Sequence, residues 1–272
     1  MHGWNPFEGR EFPKIEGEMR VEVVEAAAGL YLVVGPRTNW CLIREGDAIT
    51  LVDAAWPKDY PLVIDSLNQI EATPALVEAV VLTHAHPDHV GVAERFRAEH
   101  GATVHTHPAE VGHATGQYEQ RFRTIDLMAR MWRPSVFAFG INAILRGGLH
   151  PTPAETVETF DDSQLDVPGH LVPVPTPGHT SGHCSFYLPD RGIVIAGDAL
   201  VNHNLLTGRS GPRLMPRIFS HDWEQAAVSL DQLASLDADL VLPGHGAPLH
   251  MTPAHAVEQA KLRLSAGGWW DR

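Results

Sequence analysis

Short apolar runs rich in Val, Ile and Leu recur along the chain: LYLVV (30–34), AITLVD (48–53), AVVLTH (79–84), ATVHTH (102–107), LVPVPTPGH (171–179), CSFYL (184–188), GIVIAGD (192–198) and DLVLPGH (239–245). Each is short for a buried helix and long enough for a buried strand. The stretches between them place apolar residues at helical spacing. Helices are predicted over 58–70, over 88–99 behind the Pro87-Asp88 start signal, over 222–236 with Trp223, Ala227, Leu230 and Leu233 on one face, and over 253–265. This alternation predicts an α/β fold.

A weak internal echo sharpens that expectation. ITLVDAA followed by VEAVVLTHAH parallels IVIAGDAL followed by DADLVLPGHG. Each is a strand ending in Asp, then a later strand ending in His, so two related α/β halves are expected. Between them lies 108–158, where FRTIDLMARMWRPSVFAFGINAIL is helical in spacing, with Pro134 and Gly140 as breaks. Two uses fit this insertion equally: a lid over a site, or a segment packing its Met, Trp and Phe residues on the core. A membrane anchor fits less well. The expected organisation is one domain over 1–272 carrying this helical insertion.

Composition narrows the chemistry. The start, MHGWNPFEGREFPK, has Pro and charges where a secretory apolar segment would be. No later run approaches the roughly 20 apolar residues of a spanning helix, so a cytoplasmic protein with no membrane partner is expected. The only cysteines, Cys41 and Cys184, both lie in strand-like apolar runs. They form neither a disulfide framework nor a Cys-rich metal motif, so any metal must be held by His and carboxylate. The net charge of −13 argues against a nucleic-acid partner. Basic residues nevertheless cluster twice: Arg121, Arg123, Arg130, Arg133 and Arg146 against two acids within 117–147, and Arg209, Arg213 and Arg217 with no acid within 208–220.

The segment Thr83-His84-Ala85-His86-Pro87-Asp88-His89 puts three imidazoles and a carboxylate between an apolar run and a helix start. Alternation along an extended chain points His84 and His86 to one side, and Asp88 and His89 can reach back from the turn into the helix. Zinc accepts about four or five imidazole and carboxylate ligands at roughly 2.0–2.2 Å, so this many donors suits two metals better than one. A single histidine among 17 is ordinarily a core or surface residue. Four ligating residues within six positions are not.

With TPGHTSGH (176–183), IAGDAL (195–200) and LPGHG (242–246) following in order, the chain resembles the metallo-β-lactamase superfamily over roughly residues 20–250. The resemblance implies a four-layer αββα sandwich with a glyoxalase II-like metal site. His84, His86 and His179 would bind one metal, Asp88, His89 and His245 the other, and Asp198 would bridge. Two zinc ions are implied, with iron or manganese as alternatives. Asp53 matches the family's acid at the end of an early strand, expected to orient a ligand histidine through its distal N–H; a capping or loop aspartate is the plainer reading. Gly178, Gly197, Gly244 and Gly246 flank ligands, where a side chain would obstruct the backbone. His203, five residues past Asp198, is a candidate substrate contact, whereas His183 is expected in the core or behind the ligands.

Two metals can hold a shared water, lower its pKa and present hydroxide to an electrophilic centre, with Asp88 as the catalytic proton acceptor. Departures from subfamilies narrow the substrate. Lactamases generally carry Cys or Ser where Asp198 stands, and diiron flavoproteins carry Glu where His86 stands and add a flavodoxin domain. Glyoxalase II enzymes add a long C-terminal helical region where 27 residues follow His245, and lactonases often place Tyr where Val201 stands. The expected reaction is hydrolysis of an ester, thioester or lactone-type bond in a small molecule. The alternatives are an iron persulfide dioxygenase-like oxidoreductase and a phosphodiesterase or nuclease of the same fold. Arg130 and Arg213, in the two basic segments, are candidate contacts for an anionic substrate; a solvated charged surface is the plainer reading.

Overall fold

The computed structural model describes residues 21–120 and 128–266. Seven strands form one sheet in chain order: β1 (Glu22–Ala27), β2 (Leu30–Val34), β3 (Asn39–Glu45), β4 (Ala48–Val52), β5 (Val77–Val81), β6 (Thr103–Thr106) and β7 (Glu158–Thr159). The first four pair antiparallel, and β4 through β7 run parallel. A second sheet has the order β13-β10-β9-β8, from β8 (Val172–Pro175), β9 (Cys184–Leu188), β10 (Ile193–Gly197) and β13 (Leu240–Pro243), with β10 and β13 parallel. A separate ribbon pairs β11 (Val201–His203) with β12 (Ser210–Arg213).

Successive side chains of a strand point to opposite faces. In β3, Cys41 and Ile43 face the second sheet and meet Phe186, Ile195 and Leu242, while Leu42 faces outward against Val63, Leu67 and Phe96 of the covering helices. The outer face of the second sheet, Val194, Ala196 and Val241, is covered by Leu230, Leu233, Val257 and Ala260 of helices Trp223–Ala234 and Pro253–Ala266. The result is the expected order helix, sheet, sheet, helix. Six of the eight visible strands, β2, β4, β5, β9, β10 and β13, are buried along most of both faces, and such strands read as continuous apolar runs.

The strands missing from that pattern are β1, β3, β7 and the ribbon, where Glu22, Arg44, Glu158 and Asn202 interrupt short apolar runs. The helix expected over 88–99 divides into Pro87–Val90 and Ala93–His100. Its cause is a tertiary contact: Gly91 N and Val92 N donate to Ala55 O and Ala54 O, and a Cβ on Gly91 would stand 2.3 Å from Ala55 O. In Trp223–Ala234 the buried residues are Ala226, Ser229, Leu230 and Leu233, so the inner face is rotated from the one expected.

Within the insertion, Pro134 opens a helix that runs to Leu145, and Gly140 lies inside it instead of breaking it. Proline suits a first turn, whose N–H has no helical acceptor. Val136 and Phe139 pack with Val201, Leu205, Leu206, Met215 and Phe219 in a small core beside the ribbon. The start of the predicted helical segment, 122–127, lies outside the described residues. Among the described residues no helix is long and apolar enough to cross a membrane.

Candidate metal centre

Two of the parallel strand pairs, β4–β5 and β10–β13, are the two halves of the sequence echo, one in each sheet. Asp53 follows β4, Thr83–His89 follows β5, Asp198 follows β10 and His245 follows β13. His179 lies on the loop between β8 and β9. Six of the seven predicted ligands are buried, and Asp88 is half-buried. Gly244 makes one close approach feasible, since a Cβ there would stand 2.2 Å from Asp198 Oδ1.

All seven predicted ligands converge, in overlapping sets. His179 Nε2 is 2.8 Å from His86 Nδ1 and 3.2 Å from His84 Nε2. Asp198 Oδ2 is 3.1 Å from His245 Nε2 and 3.4 Å from His179 Nε2, and its Oδ1 is 3.5 Å from His89 Nε2. Asp88 Oδ2 is 3.4 Å from His245 Nε2 and 3.7 Å from His89 Nε2. Three groupings hold donor atoms within 4.8 Å of one another: His84 with His86 and His179, His84 with His89 and Asp198, and Asp88 with His89 and His245.

The far side of the rings fixes which nitrogen faces inward. His86 Nε2 donates to Gln120 O at 2.6 Å, and His245 Nδ1 donates to Arg37 O at 2.6 Å. His89 Nδ1 donates to Asp53 Oδ2 at 2.8 Å, which turns its Nε2 toward the cluster. That buried Nε2 and the buried Asp198 Oδ1 have no hydrogen-bond partner among the described residues. Two buried polar atoms side by side without a hydrogen bond are costly, and a cation between them satisfies both. The donor set thus fits a divalent metal.

Charge follows the same division. Burial, reinforced by neighbouring imidazoles, holds His84 and His179 well below the usual histidine range. Burial, with help from His113, also lowers His86. Burial would lower His89 too, but Asp198, Asp53 and Asp88 outweigh it and raise it to about 10. His245 rises against its burial for the same reason, with Asp198 foremost. Asp198, although buried, is held well below the carboxylate range by His245, His89 and His179.

The sequence model of the metallo-beta-lactamase superfamily matches residues 34–245. The chain belongs to the metallo-beta-lactamase superfamily. Similar proteins include the probable metallo-hydrolase YflN of Bacillus subtilis, 26% identical over 235 residues, covering 83% of this chain and 86% of that one. An uncharacterized protein of Mycobacterium leprae is 31% identical over 189 residues, covering 66% and 72% of the two chains. Among solved structures, a metallo-beta-lactamase family protein of Thermus thermophilus matches with a TM-score of 0.60 at 26% identity, covering 88% and 82%.

In this superfamily member, residues outside the motifs hold the ligand loops. Asp53, at a left-handed φ of 63°, accepts from Thr83 N at 2.8 Å and from Thr83 Oγ1 as well as from His89. That backbone costs of order 1 kcal/mol for a non-glycine residue, and the three donors hold it there. Buried Glu110 accepts from Ala85 N at 3.0 Å, between two ligands, and from Gly182 N at 2.9 Å, three residues past His179. His113 Nδ1 lies 3.2 Å from it. Burial opposes its ionisation, yet His113, Thr180 and the Gly182 N–H outweigh it and lower its pKa to about 2. Asn39 donates to Pro243 O at 2.9 Å and Gly246 O at 2.7 Å, clamping the His245 loop. His183, lowered to about 4 by burial, accepts the Asp198 backbone N–H at 3.0 Å. No motif marks Glu110 or Asn39, which become visible only when distant strands meet.

A cavity of about 370 Å³ opens on this cluster, bounded by His86, Asp88, His179 and Asp198 and walled by apolar side chains. His203, Arg130 and Arg213 are not among its lining residues. His203 is half-buried on β11, lowered by burial and by His245, Arg37 and Arg213. Arg213 is buried, its guanidinium donating to Gly211 O and Ser210 O, both at 2.9 Å. Arg130 is partly exposed ahead of the Pro134–Leu145 helix, and Arg121 and Arg123 lie outside the described residues.

Proposed function

We propose that this superfamily member is a dinuclear metal-dependent hydrolase of ester, thioester or lactone-type bonds. The observation that carries this reading is the Asp198 carboxylate, whose Oδ2 lies between His179 and His245 while Oδ1 faces His89. His84, His86 and His179 would hold one ion, Asp88, His89 and His245 the other, with Asp198 between them and zinc as the expected metal. When bound, the two ions would supply an activated water and a Lewis acid for the scissile carbonyl.

The chain's own residues do the rest. Asp88 borders both the cluster and the cavity, and its Oδ2 accepts from Thr38 Oγ1 at 3.3 Å. This carboxylate is placed to take the water's proton and pass it to the departing alcohol or thiol as the acyl bond breaks. Asp53 holds the His89 ring, and Gln120 O holds His86. The apolar walls keep bulk water from the reacting groups. A mononuclear iron dioxygenase would leave the convergence of Asp88, His89 and His245 without a use.

Elemental analysis of the purified protein, with a panel of ester, thioester, lactone, phosphodiester and persulfide substrates, tests the proposal. The expected result is about two zinc or manganese ions per chain with acyl-bond hydrolysis. One iron per chain with oxygen uptake on a persulfide overturns it.

A further inference from the structure

We infer that the substrate carries an unbranched apolar acyl chain, seated between the insertion helix Pro134–Leu145 and the loops around the β11–β12 ribbon. This rests on the hydrolase reading of the same site. The 370 Å³ cavity borders the metal cluster at one end. Beyond that end its walls are Met131, Phe139, Ile144, Leu205, Met215 and Phe219, and among the described residues no Lys, Arg or Glu side chain lines it. At a share of roughly 30 Å³ for each water-sized group, this space accommodates about eight to ten carbons beside the scissile carbonyl. Charge at the metal end and hydrocarbon beyond it match a molecule with a polar acyl head and an alkyl tail.

The space exists because the insertion helix presents small residues to it, Gly140 and Ala143, with Gly148 just past its end. A Cβ on Gly140 would meet nothing nearer than Met131 Cε at 3.9 Å, so the room there is open. Methionine at 131 and 215 gives the walls an unbranched, adaptable lining that accommodates an alkyl chain without a fixed shape.

The metal-loaded protein is assayed on nitrophenyl esters from acetyl to tetradecanoyl. The expected kcat/KM rises about threefold per added methylene and levels off beyond about ten carbons. Gly140→Leu fills the cavity and is expected to lower the ratio of decanoyl to butyryl kcat/KM at least about tenfold, while Met131→Ala lengthens the cavity and moves the plateau to longer chains. Ala143→Leu, also lining the cavity, serves as the second filling variant should Gly140→Leu melt early. Decanoate binding by calorimetry gives a readout free of turnover, tight in the parent protein and weakened in the filling variants. Hydrolysis that ignores chain length, without decanoate binding, overturns the acyl site and leaves the hydrolase standing. Decanoate binding lost on filling, with no ester turned over, supports the acyl site and overturns the hydrolase.

Discussion

Replacing Glu110 by Gln separates the scaffold of the site from its chemistry, because Glu110 touches no proposed ligand side chain. Its carboxylate accepts two backbone N–H groups, Ala85 at 3.0 Å and Gly182 at 2.9 Å, one on each oxygen, and is fully buried. A carboxamide turns one oxygen into an NH2 group that must face one of those N–H donors. One buried donor is then unsatisfied, at a cost of about 1–3 kcal/mol, and the charge assistance to the other bond is lost. The pKa gives an independent size. Folding lowers Glu110 from 4.5 to about 2, which corresponds to roughly 3 kcal/mol. Because the folded value is the lower one, that stability is present above pH 4.5 and is lost as pH falls toward 2. Urea unfolding of the metal-free protein should show Glu110→Gln destabilised by about 2–4 kcal/mol at neutral pH, with the gap to the parent closing as the pH is lowered below 4.5. Metal affinity should fall about 10–100-fold, since Ala85 and Gly182 adjoin ligand loops. A variant equal to the parent in urea midpoint at pH 7 and in metal affinity would refute the reasoning.

Asp53→Asn removes the charge facing His89 Nδ1 and should weaken metal binding about 10–100-fold in a chelator competition, while far-ultraviolet circular dichroism stays unchanged. Asn39→Ala leaves Pro243 O and Gly246 O without their donor and should cost roughly 2 kcal/mol in urea unfolding, with lower metal occupancy by elemental analysis because the His245 loop loosens. Cys41 and Cys184 are buried, with thiols pushed up by burial. An aromatic disulfide reagent at pH 8 should therefore label neither in the native protein and both in urea; fast native labelling would contradict their placement between and within the sheets.

The convergence of the candidate ligand residues was legible because each motif is local. Thr83–His89 runs from just past the end of β5 into the start of the next helix within seven residues, so its side chains are brought together by a single short turn of chain. The doubly covered strands were legible for a similar reason, since burial on both faces leaves an uninterrupted apolar run. What could not be read depends on meetings between distant segments. Glu110 matters only because the loop holding it passes between the His86 and His179 loops, and Asn39 only because β3 begins beside Gly244. The split at Gly91 is likewise tertiary, as its N–H is drawn to Ala55 O from across the sheet edge. Arg213 drew notice through its charge and its neighbours in sequence, whereas its guanidinium closes on the carbonyls of its own ribbon.

The two parts of the site are held by different forces. At the metal end, backbone hydrogen bonds tie one sheet to the other, Cys184 N to Thr83 O at 2.9 Å and Asn39 N to Gly244 O at 2.8 Å, while Gly244 N to Gly197 O at 2.9 Å joins the ends of β13 and β10 within the second sheet. Each connects a strand end or ligand loop to a neighbouring strand, so the spacing between ligand sets follows from sheet packing and resists change in any single side chain. The cavity wall opposite is held mainly by side-chain packing of Val136 and Phe139 against the ribbon. Apolar packing without a hydrogen-bonded ladder tolerates volume-conserving exchange far better than a ligand set tolerates displacement. A fold divided in this way keeps its reaction centre fixed while the lining that selects the substrate can vary, and the insertion is where that variation costs least.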